Sequence, residues 1–237
     1  NNTRSSVATH LLEVPGFTSS YISQKGLGLD GTLQMSFQLA YFRLFGHSAS
    51  TYESANQSAF KHGRTETIRS ATPESDEMCK VFFSKTSTRS DKEGALRKAV
   101  KQHGIITRNA LMGKGWDRHM FALKFEATKS GMETPPIFTD EAYARLSEII
   151  LSTSTLTSPN IQGGGFGPVG PKCYGIGYTT GTLRGIDNAH PFGGGKNASV
   201  DGFASSVMTY KKERDGQAFV DSMEMSIKDI CEVLDGK

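Results

Sequence analysis

Three hydroxyl groups, Tyr52, Ser54 and Thr65, fall within one short stretch of this sequence, and Arg64 and Arg69 stand close to them. Neutral donors beside fixed positive charge suit a carboxylate on a small ligand. The arginine supplies charge-assisted bonds, and the hydroxyls fix orientation without adding to the cost of burying charge. Taken alone, the stretch reads more simply as a polar loop followed by a strand. A second cluster is Gly115-Trp116-Asp117-Arg118-His119. An Asp-Arg-His triplet usually makes a surface ion pair, but within an otherwise apolar helical segment Arg118 must be paired or exposed. Arginine is also the residue best suited to grip a carboxylate from inside a pocket. The third cluster is Ser152-Thr153-Ser154, directly before a glycine-rich turn ending in Phe166-Gly167-Pro168-Val169. On a strand Ser152 and Ser154 point to one side. Two hydroxyls there can bind a substrate hydroxyl and stabilise an oxyanion, although an ordinary edge strand also accounts for them.

These clusters need elements to hold them. Asp30 opens a helix in which Leu33, Phe37, Ala40, Tyr41 and Leu44 recur at helical spacing, and Gly46 follows as a stop. The residues before it read as a polar start. Residues 48–69 read as strand and loop. Helices are predicted over 76–85 and 91–103, the second carrying Leu96, Ala99 and Val100 on one side and ended by Gly104. A further helical run covers 106–129, interrupted near Gly113 and Gly115, and Thr139 and Asp140 can cap a helix over 141–149. Residues 150–155 form a short β segment, followed by a turn-rich piece with Pro159, Gly163, Gly164 and Gly165. Residues 174–180 alternate like a strand, 204–211 resemble its hairpin partner, and the glycine-rich 181–201 between them reads as a mobile loop. An amphipathic helix over 216–234, through Phe219, Met223, Ile227 and Ile230, follows, and core packing is favoured for it over a partner-binding face. Helices mixed with strands, without repeat or linker, predict a single α/β domain.

A chain of 237 residues with 36% hydrophobic and 22% charged residues can bury a substantial core. Its formal charge of +3 is slight and no basic block stands out, so nucleic-acid binding has no compositional support. Cys79, Cys173 and Cys231 are scattered, without CxxC or zinc spacing, which favours a reducing compartment and no metal site. Apolar runs are too short to cross a bilayer. The start at Asn1, with no leader, is read as the start of a fragment.

In order and spacing, the three clusters resemble the carnitine/choline acyltransferase family, over about residues 17–237 and matching the C-terminal half of a full-length member. Thr51 to Ser70 and the Ser-Thr-Ser-Thr-Leu run look most like the mitochondrial inner-membrane palmitoyltransferase branch. The resemblance implies a mixed β-sheet flanked by helices, like the family's C-terminal domain and chloramphenicol acetyltransferase. It implies acyl transfer between coenzyme A and carnitine, with acyl-CoA as co-substrate and no bound cofactor. Tyr52, Ser54, Thr65 and Arg118 would hold the carnitine carboxylate. Ser154 would stabilise the oxyanion with Ser152 beside it. Phe166 and Val169 would line the trimethylammonium pocket, where a ring face attracts a cation that cannot donate a hydrogen bond. Thr65 and Arg118 favour carnitine over choline. Gly164 stands where short-chain members carry methionine, so an open channel for medium- or long-chain acyl groups is expected.

The coenzyme A side departs from the family. Its phosphate-binding lysines fall on Ser19 and Ser23, leaving Lys25 as the nearby basic residue, while Asp30 is retained. The family's general-base histidine belongs to the half that precedes this region. None of the six histidines here has its context: His62 and Glu66 share the spacing but lie inside the carnitine cluster, and His119 reads as a neighbour of Arg118. The chain is therefore expected to be one domain, residues 1–237, holding half of an active site. The N-terminal half of the same enzyme would be its partner, with mitochondrial placement on the matrix side of the inner membrane and peripheral membrane association of the whole protein. A non-catalytic carnitine- or acyl-binding module and choline acetyl transfer are the competing readings.

Overall fold

A computed structural model describes residues 5–155, 164–183 and 200–236. Six strands form one sheet: β1 (Val7–Pro15), β2 (Thr51–Asn56), β3 (Thr65–Ile68), β4 (Leu151–Thr155), β5 (Tyr174–Leu183) and β6 (Val200–Tyr210). The order is β1-β6-β5-β4-β2-β3. The two central pairings, β2 with β4 and β4 with β5, are parallel, and the remaining three are antiparallel. This is the mixed sheet with flanking helices that the sequence predicts.

The helices are α1 (Ser19–Gln24), α2 (Leu29–Phe45), α3 (Pro73–Phe83), α4 (Arg89–Leu111), α5 (Asp117–Lys129), α6 (Glu141–Ser147) and α7 (Gly216–Asp235). Residues 31–41 of α2 are buried without interruption, which makes it the central helix rather than a surface one. Leu33 and Phe37 of α2, Met78 of α3, Leu96 of α4 and Phe219 and Ile227 of α7 share one core with Leu151, Ile176, Phe203 and Val207 of the strands. Because side chains alternate along a strand, the sheet's other face carries the intervening residues. Tyr52, Ser54, Thr65, Thr67, Ser152, Ser154, Gly175, Gly177 and Ser206 fall on that opposite face by register.

Several expectations change. Residues 7–15 form an edge strand within what reads as a polar start, its residues paired from Val7↔Tyr210 to Pro15↔Gly202. Gly104 does not end a helix: α4 runs through it to Leu111, and a Cβ at Gly104 would meet open space. The capping box of Thr88 and Asp91 anchors its start, and the helix break lies at residues 112–116 instead. A second capping box, Thr72 with Ser75, starts α3 at Pro73 rather than at Asp76. The hairpin strands reach further into the expected loop, to Leu183 and from Val200, and α6 stops at Ser147. Pro159, Gly163, His190 and the middle of the 181–201 stretch lie outside the described residues. Cys79, Cys173 and Cys231 are free, and burial pushes the Cys79 thiol up to about 12. Among the described residues no helix is long and apolar enough to cross a membrane.

The core side of the sheet is unusually polar beneath the parallel strands. Gln34 and Gln38 of α2 are fully buried. Gln34 Nε2 donates to Thr153 Oγ1 at 3.0 Å and Tyr178 Oη at 3.1 Å, and Gln38 Nε2 donates to Thr51 Oγ1 at 2.6 Å. One turn earlier, Asp30 Oδ1 accepts from Tyr178 Oη at 2.6 Å. Glu53 on β2 lies on this side too, 2.8 Å from His103 Nε2, and it accepts from Ser70 Oγ at 2.9 Å. Burial pushes the Glu53 carboxyl up. Burial opposes the charged form of His103, but the Glu53 carboxylate outweighs it and the imidazole is also raised. The pair therefore holds a proton more tightly in the folded state than in the unfolded one.

That proton gives a pH dependence with a definite sign. Both groups bind their proton more tightly folded than unfolded, so the contribution to stability is lost as pH rises, for His103 above its ordinary 6.5. Urea unfolding should show stability declining across that range, and Glu53→Gln with His103→Gln should flatten the decline. An unchanged slope in the double variant would overturn the assignment.

Candidate active site

The open face gathers the predicted polar residues around Arg118. Its Nη2 donates to Tyr52 Oη at 2.7 Å and to Thr65 Oγ1 at 3.4 Å, and its Nε donates to the Thr65 carbonyl at 3.3 Å. The guanidinium carbon also lies 5.7 Å from the centre of the Tyr52 ring. Ser54 is exposed on the same face. Tyr52 pairs with Ser152 across β2 and β4, so these side chains stand side by side, and Ser152 pairs in turn with Gly175. Ser152 is buried, Ser154 half-buried and next to Gly177.

The start of α5 sets the reach of Arg118. Trp116 occupies the N-cap position without a side-chain bond. Its place is taken from β3: Glu66 Oε1 accepts the Arg118 amide at 3.3 Å, satisfying one of the helix's free N–H groups with a negative charge at the favourable end. Gly115 makes room for this, because a Cβ there would collide with the Glu66 side chain. Asp117 fastens the other side. Its carboxylate accepts from Thr67 Oγ1 at 2.8 Å and pairs with Arg69 Nη2 at 2.5 Å, while Arg118 Nη1 lies 4.0 Å away. Two arginines thus share one aspartate, with Arg69 in the close pair and the Arg118 guanidinium at the longer distance. Arg69, which the sequence groups with the anion grip, is spent on Asp117, and Arg64 is exposed. The sequence singles out Glu66 only for its spacing from His62, not for holding the start of α5. Its signal is the glycine before Trp116.

Residues 164–170 lie across the same face beside the two serines. Ser206 Oγ donates to the Gly164 carbonyl at 2.8 Å. Phe166 is half-buried and Val169 exposed. The approach of this backbone depends on glycines in β5, Gly175 and Gly177, which the sequence reading passed over as ordinary strand residues.

Lys25 and Asp30 sit elsewhere. Lys25 Nζ pairs with Asp235 Oδ1 of α7 at 2.8 Å and lies over the Tyr21 ring. Asp30 belongs to the core-side cluster, bonded by Tyr178 and near Glu53 and His103. One ligand atom from each of Asp30, Glu53 and His103 lies within 4.8 Å of the others, a set able to bind a cation. Glu53 and His103 instead hydrogen-bond each other directly, so the cluster is closed on itself. His103 and His10, which bonds Gln217, are engaged away from the open face. His62 sits in the β2–β3 turn with a positive φ of 108°.

Comparison with known proteins follows the same lines. The profile of the family described as Choline/Carnitine o-acyltransferase matches residues 1–206. Carnitine O-palmitoyltransferase 2, mitochondrial, of Xenopus tropicalis is 39% identical over 213 residues, covering 89% of this chain and 30% of that protein. The Homo sapiens protein of the same name is 33% identical over 219 residues, with 92% and 30% covered. Carnitine O-acetyltransferase of Columba livia is 38% identical over 162 residues, covering 68% of this chain and 26% of that protein. The chain thus spans about 30% of the length of the palmitoyltransferases it matches. Among solved structures, a chloramphenicol acetyltransferase aligns over 93% of this chain and 88% of its own, at 9% identity and a TM-score of 0.45, too loose a likeness to bear on the site. On the profile match and these identities, the chain belongs to the choline/carnitine O-acyltransferase family.

Proposed function

We propose that these residues are the carnitine-binding and oxyanion-stabilising part of a carnitine O-acyltransferase. The enzyme moves a medium- or long-chain acyl group between coenzyme A and the carnitine hydroxyl. The observation that carries this reading is the convergence of Arg118, Tyr52 and Thr65 on the sheet face that also bears Ser152 and Ser154. A carboxylate bound there with Ser54 meets the Arg118 guanidinium and neutral hydroxyl donors, which is the chemistry of carnitine rather than choline. The trimethylammonium end lies against Phe166 and Val169, and Gly164 leaves the acyl channel open.

In this mechanism a base removes the carnitine hydroxyl proton, and the oxygen attacks the thioester carbonyl to form a tetrahedral oxyanion. Ser154 donates a hydrogen bond to that oxyanion, with Ser152 beside it. The carbon–sulfur bond then breaks, and coenzyme A leaves as a thiolate that recovers the proton from the base. The base is a histidine of the preceding N-terminal half, so residues 1–237 form one domain of a longer enzyme. The relatives' greater length supports this, as does the apolar surface on α5, where Phe121 is 63% and Phe125 56% exposed. That surface suits burial by the remainder of the polypeptide. Coenzyme A approaches from the side of Lys25 and Asp30, with the Lys25–Asp235 pair opening to release the ammonium for phosphate. The relatives' names support a mitochondrial location, and membrane contact belongs to the whole protein.

Assayed with palmitoyl-CoA and carnitine, the 237-residue chain alone should give no turnover; turnover would overturn the assignment of the base to the preceding half. In the complete polypeptide, Arg118→Asn should raise KM for carnitine about 30-fold with a smaller change in kcat, the loss of a charged hydrogen-bonding partner. An unchanged KM removes Arg118 from the carboxylate site. Ser154→Ala should do the reverse, lowering kcat about 100-fold while leaving KM for carnitine nearly unchanged. An unchanged kcat removes Ser154 from the oxyanion site.

A further inference from the structure

Backbone lies directly on backbone at two points of the open face. A Cβ on Gly175 would stand 2.5 Å from the Phe166 carbonyl oxygen. A Cβ on Gly177 would overlap the Gly164 carbonyl oxygen and come within 3.0 Å of Gly165 Cα. The two glycines occupy successive same-face positions of β5, about 7 Å apart along the strand. At the second seat Ser206, the β6 partner of Gly177, donates to the Gly164 carbonyl at 2.8 Å. Gly165 is fitted to it, because a Cβ there would lie 2.5 Å from Ser206 Oγ. Both would-be clashes are with main chain, which cannot swing aside as a long side chain can.

We propose that β5 sets substrate specificity through two separate seats: Gly177 with Ser206 shapes the acyl channel through Gly164, and Gly175 shapes the ammonium pocket through Phe166. This rests on the carnitine reading above, and it adds residues that the reading does not contain. The reasoning for the first seat is electrostatic as well as steric. A methyl group at 177 lifts the Gly164 carbonyl from the sheet and breaks its bond to Ser206. The freed carbonyl then borders an apolar channel without a partner, which penalises a long acyl chain more than a short one. Ser206→Ala unpairs the same carbonyl without any steric push. A methyl group at 175 displaces Phe166 instead, at the end of the ligand that all acylcarnitines share.

Calorimetric titrations of the complete polypeptide with carnitine, acetylcarnitine and octanoylcarnitine separate the two seats, with a thermal melt recorded for each variant. Gly177→Ala should lose about tenfold in affinity for octanoylcarnitine relative to acetylcarnitine, the scale of overpacking plus an unpaired carbonyl, with carnitine binding unchanged. Ser206→Ala should shift the ratio in the same direction, and it keeps the acyl seat testable if Gly177→Ala does not fold. Gly175→Ala should weaken all three ligands by one common factor. If Gly177→Ala and Ser206→Ala weaken all three ligands equally, or leave the octanoyl-to-acetyl ratio unchanged, the proposal is overturned. A wild-type enzyme that binds octanoylcarnitine but neither discriminates nor responds to these variants overturns it too, while leaving the carnitine reading standing. A complete wild-type enzyme that binds none of the three overturns the carnitine reading itself and this inference with it.

Discussion

The parallel pairing of β2, β4 and β5 is the constraint on which the rest of this structure depends. It places Tyr52, Ser152 and Gly175 in one row across the sheet, and Ser154 beside Gly177 in the next. Paired strand residues project to the same face at close spacing, so this register alone turns separate hydroxyl-bearing stretches into one surface. A slip of one residue would send Tyr52 and Ser152 into the core and bring Glu53 and Thr153 out. Arg118 and residues 164–170 arrive from outside the sheet, but both are fastened to positions that the register has already fixed.

The core side explains why such a slip does not occur. Parallel strands buried beneath a helix normally read as continuous apolar runs. Here Thr51, Glu53 and Thr153 face inward, each with a partner in reach: Gln38 for Thr51, His103 and Ser70 for Glu53, Gln34 for Thr153. Apolar packing tolerates sliding, whereas a buried hydrogen bond is lost outright when its partner moves. Burying these groups costs stability, and the return is one definite alignment of α2 against the strands. Precision on the open face is thus supplied from the closed one.

The parts legible in the sequence were those with local causes. Helix α2 announces itself through apolar spacing and through Gly46, which adopts the left-handed C-cap conformation. The hydroxyls and Arg118 stood out because their chemistry differs from their surroundings. Strand β1 was missed because it offers one fully buried residue, Leu12, and its partner lies about 200 positions later. Helix α4 was cut short at Gly104 because glycine's helix penalty, about 1 kcal/mol, looked decisive; a capping box and the buried Leu96, Ala99, Val100 and His103 outweigh it. Glu53 gave no hint of facing inward, since only His103, fifty positions on, makes that tolerable. Gly175 and Gly177 read as ordinary residues of an alternating strand until the segment pressed against them was in view.

The central helix also dictates when the chain can fold. Residues 31–41 are enclosed on every side, yet much of that enclosure comes from α7, a helix made about 180 residues later. Ser222 Oγ bonds the Ala40 carbonyl across 182 positions, Arg43 pairs with Asp229, and Lys25 with Asp235. Strand β1 waits equally long for β6. Loop closure over such distances precedes the contacts that reward it. During synthesis α2 therefore stays incompletely covered until Gly216–Asp235 has left the ribosome, so its apolar surface is exposed to chaperones and to aggregation while the intervening residues are made.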